Sequence, residues 1–366
     1  MGAVRKVLHL KYQSLGPYES FLEELLMSSQ DFKPEFWYLK EAANGRKSPV
    51  DSRKFESLSR LWSCADISSF DLIHAHFGTS ALLALPLVYR DKLPLVVSFY
   101  GHDFTAFPRR WLGLGGFLLR RVFKEATTLI AMSKPMGQEL IRLGAPGFKI
   151  EIGLPGLRKV GFRKDPVTRV DRLLMGSALK EKKNHALVLR SLRLLKDRGL
   201  KLRLWILGDG PLKPALEVMV RSLGIQGQVG FEGSYCGTSE LYRYFRGSDL
   251  FLHPSKRARN GDGEGVPTAI LEALGAGMPV LTSKHAGLDQ VFSDSVLTVN
   301  EHSVEELSST LARLCTRPEI LHPYQIRAQL WAQEHLNPRD LLLTREAIYS
   351  RALEGIKKNT PGFSLS

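Results

Sequence analysis

The sequence predicts an α/β protein of two doubly wound domains, each a parallel sheet covered by helices. Three observations carry this. Short apolar runs alternate with stretches of helical apolar spacing along nearly all of the 366 residues. That length exceeds what a single hydrophobic core usually serves. The periodicity lapses near residues 155 to 171, where LPGLRKVGFRKDPVTRV gathers Gly, Pro and charge and reads as a linker. The expected boundaries are 1–160 for the first domain, 161–340 for the second, and 341–358 for a closing helix.

The first unit of the first domain is KVLHLKYQ, a strand, followed by Gly16-Pro17 and the helical YESFLEELLMSS. The Gly16 turn lies at the carboxyl end of its strand, where ligands collect in such sheets. EFWYLK, DLIHAHFG, LPLVVSFYG, TTLIAMS and FKIEIGLPG supply further strands. His74 and His76 project from one face of a strand, a spacing that sheet-end polar residues and metal ligands share. Without a third ligand in the pattern, no metal site is assigned. Residues 109 to 124, RRWLGLGGFLLRRVFK, hold five basic residues and no acidic one. As a single helix the stretch would bury Leu118, Leu119, Val122 and Phe123 and expose Arg120, Arg121 and Lys124, with Phe117 among the cations. That arrangement suits either a solvated basic face or an anionic membrane surface.

In the second domain the strands are RLLMGSAL, KLRLWILGDG, QVGFEGSY, LFLHPS, PVLTS and VLTV. Residues 249 to 280 stand out, because a strand ending at His253-Pro254 passes through a Gly-rich loop into a short helix and a second apolar run. Pro267 suits the first helical position and Gly275 and Gly277 suit the helix end. Glu264 lies in the loop and Glu272 about one turn inside the helix. The helix start near Thr268 offers unpaired N–H groups and a positive dipole end between them, a seat for an anion. Two carboxylates flanking an anion describe a sugar diphosphate, one accepting from a sugar and the other from a ribose.

The run EGVPTAILEALGAGMPV, from Glu264 to Val280, resembles the EGxPxxxxEAxAxGxPV signature of the family-4 retaining glycosyltransferases. The preceding Gly261-Asp262-Gly263-Glu264-Gly265 resembles the branch that builds colanic-acid-type surface polysaccharides. The resemblance implies a GT-B architecture of two facing Rossmann-like domains, with a C-terminal helix crossing back to the first. It also implies a nucleoside-diphosphate sugar donor on the second domain and a saccharide acceptor, lipid-linked in such pathways, on the first. In that reading Glu264 orients the donor sugar, Glu272 holds the ribose, and Gly265 and Thr268 meet the donor. GSALKEKKN corresponds to the family's GRLxxxKG, with Lys183 at the Lys position, serving the departing diphosphate, and Ser177 at the Arg position. Ser177 cannot make the charge-assisted contact of an Arg, and Lys180 or Lys182 are candidate substitutes. Gln290 stands where many relatives have Glu. Gly16 corresponds to a Gly-rich loop against the donor phosphates. HAHFG and SFYGHD resemble acceptor-side segments, which implicates His76, Tyr100 and His102 in acceptor binding and Asp103 in catalysis. Which of these groups meets the acceptor or the leaving phosphate stays open. The lone ILGDGP resembles the family's VGDGP segment.

Composition narrows the alternatives. The net charge of +14, from 51 Lys and Arg against 37 Asp and Glu, suits acidic partners such as nucleotides or anionic lipid. No nucleic-acid reading motif accompanies it, so no nucleic-acid partner is assigned. Cys64, Cys236 and Cys315 lie far apart and odd in number, which suits a reducing cytosol. No signal-peptide pattern or apolar run of spanning length occurs, so the expected location is cytoplasmic, with peripheral attachment to the inner membrane face through residues 109–124. No D-x-D-like pair for a metal diphosphate is present, and the expected mechanism is metal-independent, without a cofactor. The departures at Ser177 and Gln290 motivate one alternative, a catalytically degenerate protein that senses nucleotide sugars.

Overall fold

The structure is a computed structural model that describes residues 4–16, 19–27, 31–42, 45, 47–157, 165–234 and 238–354. The chain divides into two compact units, Met1–Leu157 with Pro338–Ser366, and Arg158–Asn337. In the first unit the strands are β1 (Arg5–Gln13), β2 (Phe32–Lys40), β3 (Ser52–Lys54), β4 (Leu72–His76), β5 (Leu95–Ser98), β6 (Thr128–Ala131) and β7 (Ile150–Ile152). Their order is β3-β2-β1-β4-β5-β6-β7, parallel throughout. The order reverses between β1 and β4, the place where such sheets gather ligands at their strand ends.

The second unit contains β8 (Arg172–Gly176), β9 (Arg203–Leu207), β10 (Val229–Gly233), β11 (Leu250–His253), β12 (Val280–Ser283) and β13 (Leu297–Val299). Their order, β10-β9-β8-β11-β12-β13, repeats the same winding, with every pair parallel. The strands are short and apolar because helices cover both faces. Leu173, Met175, Leu204, Ile206, Leu250 and Leu252 enter a buried core with Val188, Leu192 and Leu195 of the helix His185–Asp197.

The last helix, Pro338–Glu354, belongs to the first unit, although 180 residues of the second unit precede it. Ile348, Tyr349 and Ala352 bury their side chains against Val7, Phe32, Leu72, Val96 and Ile130 of that unit's sheet. The crossing back expected of this architecture is therefore made by an apolar face.

Three local expectations need correction. The edge strand β3 reads SRK, is fully exposed, and carries no apolar pattern from which to find it. Pro267 caps the helix Thr268–Gly275 instead of opening it, with ψ at 118°. Most notably, residues 109–124 do not form one helix. The backbone turns left-handed at Trp111, Leu112 and Gly113 (φ 51°, 56° and 95°), and the regular helix begins only at Leu114. The glycines explain the break. A Cβ on Gly115 would lie 1.9 Å from the carbonyl oxygen of Phe107, so this helix approaches the preceding turn closer than any side chain allows.

Candidate active site

In the second unit, β8 and β11 pair side by side and deliver two loops to neighbouring positions. From β8 comes the turn Glu181–Lys183, and from β11 the segment that follows His253. Asn184 ties them together. Its backbone is left-handed (φ 57°), and its side-chain amide donates to the carbonyl oxygens of Pro254 (3.0 Å) and Glu301 (2.9 Å).

Where the loops meet, Glu264 is 5% exposed and ringed by donors. Lys183 Nζ lies 2.7 Å from Oε1, the Ser255 hydroxyl donates to the same oxygen at 3.1 Å, and His253 Nε2 is 3.6 Å away. Lys182 approaches Oε2 at 3.9 Å while pairing with Asp262 (3.0 Å) and donating to the Gly263 carbonyl (3.1 Å). Burial opposes ionisation of Glu264, but Lys183 and Lys182 outweigh it and hold the carboxyl well below its usual range. Burial pulls the Lys183 ammonium down, and the Glu264 carboxylate opposes that pull. His253 is lowered to about 4 by burial and then by the Lys183 charge, so it is neutral at physiological pH. The result is a paired, largely buried cation held at the end of the central strands. Such a charge needs no reorganisation when negative charge develops beside it.

Gly265 and Pro267 are buried, and the helix Thr268–Gly275 starts directly after them. Its first internal bonds run from the Ile270 and Leu271 amides to the Pro267 carbonyl, which leaves the Thr268 and Ala269 amides ahead of the ladder. Thr268 and Glu272 are half-buried on this helix. Ser177, at the end of β8, is buried, with its hydroxyl 3.5 Å from His185 Nε2. His185 is lowered to about 3 by burial, then by His253 and Lys183, and its buried Nδ1 has no hydrogen-bond partner among the described residues. Of the two candidate substitutes for the missing Arg, Lys182 is engaged with Asp262, and Lys180 is exposed. The turn of ILGDGP rests on this loop: the Leu179 amide donates to the Asp209 carbonyl, and Gly208 and Gly210 sit against the backbone of Ser177 and Leu179.

The first unit places its expected residues around the ends of β1, β4 and β5. His76 is buried, with Nε2 hydrogen-bonded to His9 Nδ1 (2.9 Å) and Nδ1 to the Tyr100 hydroxyl (2.9 Å). His74 is bonded to the Tyr349 hydroxyl (2.6 Å) and to Ser98 Oγ (2.8 Å). Burial lowers all three imidazoles, His74 to about 3, and raises the Tyr100 phenol. His9, His74 and His76 bring ligand atoms within 4.8 Å of one another, enough to suggest a metal site. Both ring nitrogens of His74 and of His76 already have hydrogen-bond partners, so the trio forms a neutral polar network within the sheet.

Asp103 is 1% exposed, and its oxygens accept from the amides of Gly78 (3.0 Å), Tyr100 (3.2 Å) and Gly101 (2.9 Å). Expected among the catalytic groups, it is placed here as an anchor joining the loops after β4 and β5. His102, half-buried, opens the short helix His102–Thr105 beside it. At Gly16 the amide donates to Glu19 (2.7 Å), a carboxylate that also pairs with the buried Lys11 (2.7 Å).

The sequence pattern gave no role to Ser255, His253, His185 or His9, and it offered Lys182 only as a stand-in for the missing Arg. The first three adjoin recognised motifs and carried a weak signal. His9 became visible only through the register that sets it opposite His74.

Comparisons with known proteins bear on the family and the fold. Residues 28–157 match the family model "Glycosyltransferase Family 4", and residues 163–331 match "Glycosyl transferases group 1". An amylovoran biosynthesis glycosyltransferase of Erwinia amylovora is 28% identical over 276 residues, covering 73% of this chain and 67% of that one. A GDP-mannose-dependent phosphatidylinositol monomannoside mannosyltransferase of Mycobacterium tuberculosis is 26% identical over 268 residues, 68% of each chain. Among solved structures, Anabaena HepE in complex with UDP and glucose superimposes with a TM-score of 0.79 at 16% identity, over 94% of this chain and 99% of that one. A sucrose-phosphate synthase from Thermosynechococcus elongatus gives 0.76 at 13% identity, over 96% and 100%. With two Rossmann-like sheets, the returning last helix, the Lys183–Glu264 pair and both halves of the chain matched, this chain belongs to the family-4 glycosyltransferases and has their GT-B fold.

Proposed function

We propose that the protein transfers a hexose from a nucleoside-diphosphate sugar, with retention of configuration, to a lipid-linked saccharide in surface polysaccharide synthesis. The observation that carries this is the buried Lys183–Glu264 pair beside the start of the helix Thr268–Gly275. Glu264 accepts from the donor sugar's hydroxyls, Glu272 from the ribose, and the amides at Thr268 and Ala269 face the diphosphate. The reaction breaks the bond between the anomeric carbon and the diphosphate oxygen, which leaves with the electron pair. Lys183 neutralises that oxygen, the acceptor hydroxyl attacks from the same face, and its proton passes to the leaving phosphate. Tyr100 and His102 are assigned to the acceptor, His76 to orienting the Tyr100 hydroxyl, and Asp103 to holding their loops. The Erwinia relative is named for amylovoran biosynthesis, one from Escherichia coli K12 as a putative colanic acid biosynthesis glycosyltransferase, and the mycobacterial one for a phosphatidylinositol monomannoside acceptor. These names support the acceptor class.

The test is turnover against a panel of nucleotide sugars with isolated lipid-linked acceptors, with the product anomer read by NMR. Retention and full activity in the presence of a chelator are expected, because protein cations and the helix dipole do a metal's work. An inverted product overturns the retaining mechanism, and activity abolished by chelator and restored by a divalent ion overturns the metal-free one.

Ser177→Arg should tighten nucleoside-diphosphate binding about tenfold, equivalent to about 1.4 kcal/mol, by adding a bidentate charge-assisted contact. Calorimetric titration reads the change. Unchanged affinity in a folded variant would mean that another group already fills that role.

A further inference from the structure

We propose that the turn Phe107–Gly113 and the helix Leu114–Glu125 form a docking surface for an anionic lipid bilayer. The inference extends the reading of a lipid-linked acceptor, but it stands on this surface alone.

The apolar part is unusual for its concentration. Trp111 is 62% exposed, Leu114 50% and Phe117 60%, and Leu112 is fully exposed. These four large apolar side chains fall within seven residues, whereas no other such stretch among the described residues gathers more than two exposed large apolar residues. Contiguous apolar surface of this kind marks interaction sites. A Trp followed by leucines also suits the boundary between headgroups and acyl chains.

The backbone places them there against its own preference. Trp111 and Leu112 adopt the left-handed conformation (φ 51° and 56°), which residues with a side chain seldom hold unless their surroundings impose it. The surroundings do so. Gly115 brings the helix against the Phe107 carbonyl, closer than a Cβ permits, and the Trp111 ring meets Phe107 edge-on at 6.1 Å. The anchors Phe107, Pro108, Leu119, Val122 and Phe123 are buried. The tip is thus a built projection of apolar groups on a fixed base.

Charge complementarity identifies the occupant. Arg109 and Arg110 precede the tip, and Arg120, Arg121 and Lys124 follow it, all exposed. No acidic residue occurs between Asp103 and Glu125. An apolar tip flanked by five cations matches the surface of an anionic membrane, where the cations meet headgroups and the tip enters the interface. No helix among the described residues is long and apolar enough to cross a membrane, so the contact is one of surface docking.

The experiment is co-sedimentation of the full chain with vesicles of phosphatidylcholine alone or mixed with phosphatidylglycerol, at low and high salt. The wild type should partition about tenfold more strongly to the anionic vesicles at low salt and lose most of that preference at high salt. Trp111→Ser with Leu112→Ser, and separately Arg120→Glu with Arg121→Glu, should each reduce binding by at least about tenfold while circular dichroism stays unchanged. Both pairs are exposed, and the unchanged circular dichroism verifies that the fold is kept. Absence of an anionic preference in the wild type overturns the proposal, as does retention of binding in either double variant. So does light scattering that shows the tip joining two copies of the chain while vesicles go unbound. Vesicle binding requires no donor and no turnover, so its failure leaves the transferase reading untouched, and the reverse holds as well.

Discussion

Glu264→Gln should lower turnover by about 100-fold or more while nucleoside-diphosphate affinity stays within about threefold. The Gln keeps the shape and the hydrogen bond from Ser255 but removes the charge that Lys183 meets at 2.7 Å. Lys183 and Lys182 are then left under-neutralised, which favours the diphosphate in the ground state and removes the carboxylate that orients the sugar. The loss should therefore appear in kcat. Breaking a buried pair from one side typically costs about 3 kcal/mol of stability, because the partner is left charged in a buried site. Burial notwithstanding, the two lysines hold the Glu264 carboxyl well below its usual range. In the wild type the pair's contribution is thus complete above the unfolded carboxyl's pKa, and it disappears only as pH falls through the depressed folded value. Equal loss of turnover and of diphosphate affinity would overturn the assignment of Glu264 to the sugar.

Gly208→Ala should destabilise the second unit by about 3 kcal/mol or more. Two effects add. The residue has φ 137°, which side-chain-bearing residues avoid, and a Cβ there would lie 2.0 Å from the carbonyl oxygen of Ser177. That oxygen is backbone, so relief requires the whole turn to move off the loop that ends at Lys183. For a unit of this size the expected drop in Tm is about 10 °C, together with weaker nucleotide binding. Thermal unfolding with and without nucleotide measures both. A Tm within about 2 °C of the wild type would show that the two loops are not packed as described.

These two residues mark the limits of what the sequence could tell. Glu264 announced itself, because a strand, a Gly-rich loop and a helix start carry local patterns of period and composition. The same reasoning located twelve of the thirteen strands among the described residues and missed β3, an exposed three-residue edge with no apolar alternation. Gly208 looked like one more strand-end glycine until the structure showed what lies against it. Residues 109–124 had the composition of a basic amphipathic helix, and the part from Leu114 onward is one. The left-handed turn at Trp111 and Leu112 was invisible because Gly115 imposes it through contact with Phe107, eight positions earlier.

The sequence by itself determined the two wound domains and the two carboxylates around the helix start, since each depends on neighbours within a few residues, whereas the pairing of Lys183 with Glu264 is a product of the fold. Only the tertiary structure decided that Lys182 clamps the Asp262 loop, that His9 joins His74 and His76, and that Asp103 anchors backbone. Those pairings join residues tens of positions apart. They are fixed by strand register and by burial of apolar faces, which are properties of the packed chain and not of any stretch within it.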